Sequence, residues 1–271
     1  MQSVNRARPR PEIVAQAKMS EQLAKLQQQI STGKKIDKPS DDPAAWSRIS
    51  DIARLQSDMT AWQRNVNRGQ SISRQAADTI GDINNQLIRV SELTIQAASD
   101  TMSSDNRALI AQEIEAITES IAELIDQNST FGSPLFPSTG SSKIPIGNGQ
   151  RLSVAPPKST FSELKPSLEA LSLTIRNGSS PNISSHLTPL ENLMTSMITL
   201  VGHQGIVINQ LEEAANRLID QNLTASEYRS GYEDTDLTRT ISDSQQVLLN
   251  LQAAQATYAR VQQTSLFDFL R

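Results

Sequence analysis

The feature that most constrains this chain is the length of its helical apolar seams. One seam steps through Ile49, Ile52, Leu55, Met59, Trp62 and Val66. It continues past Gly69 through Ile72, Ala76, Ile80, Ile83, Leu87, Val90 and Ala97. Steps of three and four residues put these side chains on one face of an α-helix. A helix of about 55 residues would be roughly 80 Å long. Such a length without internal caps points to a coiled coil or a filament part, not to a helix of a compact enzyme. Seams also run toward both chain ends. Met19, Leu23, Leu26 and Ile30 form a heptad-type pattern near the N-terminus. A last seam runs through Leu237, Ile241, Val247, Leu251, Ala254, Tyr258 and Val261, followed by the apolar tail Leu266, Phe267, Phe269 and Leu270.

Punctuation between the seams is legible. Gly33, beside Lys34 and Lys35, stops the first. Ser40-Asp41-Asp42-Pro43 opens the long one. Ser40 is expected to cap free amides, the aspartates suit the positive helix end, and Pro43 sits in the first turn, where no donor is lost. Asp100 to Asn106 is a turn with capping residues. The next helix carries the clearest seam of all, Ile110, Ile114, Ile117, Ile121 and Leu124, and ends at Asn128 and Ser129. From residue 131 to about 185, Pro, Gly, Ser and Thr cluster. Lys143 to Ile146 and Gln150 to Val154, joined by Gly147-Asn148-Gly149, read as a β-hairpin. Pro145 requires an edge position there. One short helix is expected over Phe161 to Ile175. Helix returns near Leu187, with the seam Leu190, Leu193, Met197, Leu200, Val207, Leu211, Ala214 and Leu218. Asp220 to Asp236 reads as a polar break before the last helix.

The fold expected is therefore mainly α: a bundle of long coiled-coil helices from both chain ends, with a short central hairpin and irregular insertion. Three parts follow. Residues 1–40 with 235–271 form a terminal coiled coil, 41–130 with 187–234 a helical core, and 131–186 a short β-rich insertion. The terminal part offers few large apolar side chains against the entropy of ordering it, so disorder is expected there in an isolated monomer.

Recognisable chemistry is missing from the residues. HExxH, GxGxxG, GxxxxGK[ST] and GxSxG do not occur, and cysteine is absent. His186 and His203 are far apart, with no carboxylate at ligand spacing. Asp41-Asp42 is explained by helix capping before catalysis, Trp46 and Trp62 by packing before cofactor stacking, and Gly147-Asn148-Gly149 by a turn before a phosphate cradle. No catalytic residue, cofactor or metal site is expected. The balance of 25 basic and 29 acidic residues, net −4, gives no reason to expect nucleic acid. No 18-residue apolar run suggests membrane insertion. Residues 1–11 carry three arginines and lead into no apolar stretch, so a cleavable secretory signal is not expected.

Two segments resemble a known family. Ile30-Ser31-Thr32-Gly33-Lys34-Lys35 followed by Lys38-Pro39-Ser40-Asp41-Asp42-Pro43-Ala44-Ala45 is similar to the N-terminal signature of flagellins and hook-associated protein 3. Asp234-Thr235-Asp236-Leu237, Leu251-Gln252-Ala253-Ala254-Gln255-Ala256 and Thr264-Ser265-Leu266-Phe267-Asp268-Phe269-Leu270 resemble that family's terminal helix. The Pro39-Ser40-Asp41-Asp42-Pro43 version is closer to the hook-associated branch, whereas filament flagellins more often show an alanine-rich stretch. The resemblance implies a structural subunit of the bacterial flagellum, exported by the type III route and extracellular. It would join hook to filament as a ring of copies, with hook-associated protein 1, flagellin and an export chaperone as partners. Met19, Leu23, Leu26, Ile30, Leu248, Leu251, Tyr258, Leu266, Phe267, Phe269 and Leu270 would be its assembly seam. A minimal filament flagellin is the nearest alternative, and a secreted coiled-coil effector or signalling module the alternative of another class.

Overall fold

The computed structural model describes residues 11–177 and 180–269; the side chains of residue 181 and of 261–269 lie outside that description. Seven α-helices and one hairpin are described: α1 (Pro11–Thr32), α2 (Pro43–Ala97), α3 (Ser104–Asp126), β1 (Ser142–Pro145), β2 (Arg151–Ala155), α4 (Leu164–Asn177), α5 (Ser180–Ser184), α6 (Leu187–Glu233) and α7 (Leu237–Phe269). A 3₁₀ turn at Lys158–Phe161 precedes α4. The fold is mainly α, with one short hairpin.

Local chemistry sets the boundaries. Pro11 opens α1, where its missing N–H costs nothing. Gly33 ends it in the left-handed region at φ 71°, and its N–H donates to the Gln29 carbonyl at 2.9 Å. The cap of α2 differs from the one expected from sequence. Asp42, not Ser40, accepts the N–H groups of Ala44 and Ala45, both at 3.0 Å. With Pro43 as the first helical residue, only the position just before it reaches the second and third amides. At α3, Ser103 accepts from the Asn106 N–H at 3.3 Å. A second correction concerns α6, which runs unbroken from Leu187 to Glu233. The expected break at Asp220 to Asp236 shrinks to the three residues after Glu233. The covered stripe persists at the same spacing through Leu218, Asn222, Ala225, Arg229 and Glu233, but its residues turn polar.

The chain divides into two compact units. The middle unit, Ser57–Asn222, holds the main core. Val66, Ala76, Ile80, Ile83, Leu87 and Val90 of α2 are buried in one cluster with Ile114 and Ile121 of α3, Leu168, Leu171 and Ile175 of α4, and Leu211 of α6. Of the α3 seam, Ile110, Ile114 and Ile121 are buried while Ile117 and Leu124 are half-buried, and Thr118 and Ile125 complete the covered face. Segment 131–186, expected as β-rich, contains the hairpin and also the 14-residue α4, which packs on α3. The hairpin pairs Ile144 with Leu152 and Pro145 with Arg151. In a two-stranded sheet both strands are edges, which accommodates Pro145. The sheet is fixed to α2 by the Ser73 hydroxyl, which donates to the buried Val154 carbonyl at 2.8 Å. Gly69 permits the approach: a Cβ there would lie 2.2 Å from Ile144 Cδ1, 3.1 Å from Val154 Cγ1 and 3.3 Å from Leu211 Cδ2. Phe136 and Phe161 meet edge-on at 4.7 Å between ring centres. Arg107 closes the end of α2, donating from Nε to the Ala97 carbonyl at 3.1 Å and from Nη2 to the Ser99 carbonyl at 3.2 Å.

The other unit comprises residues 1–56 with 223–271. Its main element is the pairing of α1 with α7.

Candidate assembly interface

A helix is held to its neighbours chiefly by the apolar surface it covers. By that measure α1 is barely held: none of its 22 residues is buried. Met19, Leu23, Leu26 and Ile30 are half-buried on the side toward α7, while Ile13 and Val14 are exposed. Gln16 adds one bond, donating to the Ala254 carbonyl at 3.3 Å. On α7, Leu251 is buried and Tyr258 half-buried, whereas Leu248, Leu249, Leu237 and Ile241 are exposed. Leu248 thus sits outside the α1 contact, and Leu251 within it. Leu270, and the side chains of Leu266, Phe267 and Phe269, lie outside the described residues. The paired helices leave apolar side chains uncovered along their length.

Order is stronger at the root of the pair. The Lys35 N–H donates to the Glu233 carbonyl at 2.8 Å and the Thr235 N–H to the Gly33 carbonyl at 2.9 Å, so two chain reversals zip together as a short antiparallel bridge. Ile36 is buried at this corner. The Glu233 carboxylate receives the Lys34 amine and, at 2.7 Å, Arg229 Nε. Arg48 stacks on the Tyr232 ring at 5.7 Å and donates to its hydroxyl at 3.1 Å. Asp236 caps α7, accepting the Arg239 N–H at 3.1 Å.

The signature Pro39-Ser40-Asp41-Asp42-Pro43 occupies the same corner. Asp42 caps α2, and Asp41 points back, accepting the N–H groups of Asp37 at 3.2 Å and Lys38 at 3.3 Å. Its second oxygen pairs with Lys25 of α1 at 3.3 Å. The Asp37 N–H bond, with help from Lys25 and Lys38, holds this carboxyl below the usual aspartate range. The two aspartates therefore shape a turn and a helix start, in keeping with the capping role their position suggests. Sequence reasoning missed Glu233, Arg229 and Lys34 as a group. The i,i+4 spacing of Arg229 and Glu233 was a signal available in the sequence, but Lys34 lies near the other chain end.

Residues 15–140 match the family model of the bacterial flagellin N-terminal helical region. The matched stretch takes in just under half of the chain, so the resemblance to flagellins rests on its N-terminal helical part. Among relatives, the flagellin of Escherichia coli strain K12 is 26% identical over 175 residues, which take in 65% of this chain and 35% of that one. The chain thus spans about a third of the length of that curated relative. Its fold resembles a candidate flagellar hook-associated protein of Vibrio parahaemolyticus at TM-score 0.64 and 14% identity, covering 72% of this chain and 100% of that one. It also resembles FlgL of Bacillus cereus at TM-score 0.55 and 17% identity, covering 66% and 98%. At these identities the likeness is one of fold.

Proposed function

We propose that this chain is a flagellin-type structural subunit of the bacterial flagellum that joins hook to filament, and that it acts by assembly and not by catalysis. The observation that carries this reading is α1: a 22-residue helix with a heptad seam and no buried residue needs surfaces from other molecules to complete it. Placement at the junction is supported by the Pro39–Pro43 signature and by the fold likeness to hook-associated proteins. In this reading the chain leaves the cell by type III export with a chaperone shielding its apolar seam. Copies form a ring between hook-associated protein 1 and flagellin, and the terminal segments 1–40 and 235–271 order on assembly. The final residues Leu266, Phe267, Phe269 and Leu270 pack among neighbouring subunits.

Antibody labelling of isolated flagella tests the proposal. Label in one band where hook meets filament is the expected result, and a cell lacking the chain should keep its hook while releasing flagellin into the medium. The likeness to a filament flagellin supports a second reading, a minimal flagellin, for which label would run along the whole shaft. Flagella without label would leave the secreted effector alternative standing.

A further inference from the structure

The corner that roots α1 and α7 is built around one buried carboxylate. The Glu233 side chain is 10% exposed, and two cations share it, Lys34 on Oε1 and Arg229 on Oε2. The cations come from different places: Lys34 from the turn after α1, Arg229 from the last turns of α6. The Glu233 backbone carbonyl is also the acceptor that ties down Lys35, and Ile36 beside it is buried. Side chain and main chain of one residue therefore hold the turn after α1 onto the end of α6. Ile36 supplies the buried apolar contact of this turn, whereas α1 itself has no buried residue.

We propose that Glu233 is an acid-sensitive latch, which when ionised clasps the root of α1 to the end of α6 and on taking up a proton releases it. Protonation leaves Lys34 and Arg229 facing each other across a nearly buried neutral group, so attraction becomes repulsion. The neighbouring groups are otherwise engaged. Asp234 accepts from the Ser230 hydroxyl, Lys35 Nζ donates to the Gly231 carbonyl at 3.2 Å, Arg48 lies on Tyr232, and Arg229 also donates to Gln56 Oε1 at 3.4 Å. Further along the turn, Asp37 accepts from Gln28 and Asp41 pairs with Lys25. Burial pushes the Glu233 carboxyl up, but Lys34 and Arg229 more than offset it, so it sits below the ordinary glutamate value of 4.5. A carboxyl lowered in the folded state adds stability above the ordinary value, and that stability is lost as pH falls through the folded value. The latch thus holds at neutral pH and opens in acid below 4.5. This goes beyond the junction reading and applies equally to a filament subunit.

Hydrogen exchange on the full-length monomer, expressed as protection factors, tests the latch. The readout is segments 33–36 and 233–236, with 110–125 as the internal reference. In the wild-type chain, protection of the two corner segments should fall between about pH 7 and about pH 3, with 110–125 unchanged. Glu233→Gln should show that loss already at neutral pH and a smaller further fall in acid than wild type, the remainder coming from Asp41. Lys34→Met, which keeps the Arg229 contact, should lie between, and Glu227→Gln, on the exposed face of α6, should follow wild type. Corner protection that is flat with pH in the wild-type chain overturns the proposal. So does a Glu233→Gln variant indistinguishable from wild type, or loss at the corner accompanied always by loss at 110–125. Should Glu233→Gln fail to fold, Lys34→Met decides: weakened corner protection beside an intact 110–125 supports the latch, and wild-type behaviour refutes it.

Discussion

Two glycines of α2 with the same local conformation have opposite reasons for being there. A Cβ at Gly81 would meet nothing within 4 Å, whereas one at Gly69 would press on Ile144, Val154 and Leu211 at once. Gly81→Ala should therefore stabilise the chain by up to about 1 kcal/mol, the helix-propensity difference alone. At Gly69 the same gain is offset by overpacking worth about 1–3 kcal/mol, so Gly69→Ala should be neutral to destabilising. Denaturant unfolding of the two variants checks this; equal midpoints would mean that the hairpin does not rest on α2 at Gly69. Sequence alone could not separate these positions, because a glycine inside a helical pattern says only that something is unusual, and its contacts come from hairpin residues Ile144 and Val154 and from Leu211 of α6, all remote in the chain. The caps show the same limit more mildly. The Ser40–Pro43 run marks a helix start, but which oxygen reaches the amides depends on where Pro43 falls.

Among elements, legibility followed the character of the stripe. The α2 and α3 seams are apolar, so their periods could be read from the residues, and both helices form where expected. The distal part of α6 keeps its three-four spacing, but Asn222, Arg229 and Glu233 carry it, and a search for apolar periodicity breaks off at Leu218. Burial also grades the α3 seam in a way spacing could not. Ile114 is fully covered, while Ile117 is only half-buried. Ile114→Ala should cost about 2–4 kcal/mol, and Ile117→Ala less than half as much, because a half-covered site leaves a cavity that solvent or a neighbour can fill. Thermal unfolding compares them directly. A larger loss at Ile117 would show that α3 turns a different face toward the core.

For the whole molecule, the contrast lies between a middle unit with one continuous core and an end unit in which the pairing of α1 with α7 covers little apolar surface. Limited proteolysis of the free chain should accordingly remove about 35 residues from each end and leave Ser57–Asn222 resistant. Protected ends in a verified monomer would refute the view that α1 waits for outside partners. The seams at both termini could be read from the residues; the corner between them could not, since it joins residues remote in sequence. Lys35 and the Gly231 carbonyl it reaches are 196 residues apart. Closing a loop of that size costs about 5 kcal/mol of chain entropy. A polypeptide made from its N-terminus onward cannot close this one until α6 and the start of α7 have been synthesised. α1 is therefore anchored late although it is made well before α6, and the turn that follows it stays without its partners for the whole of that interval.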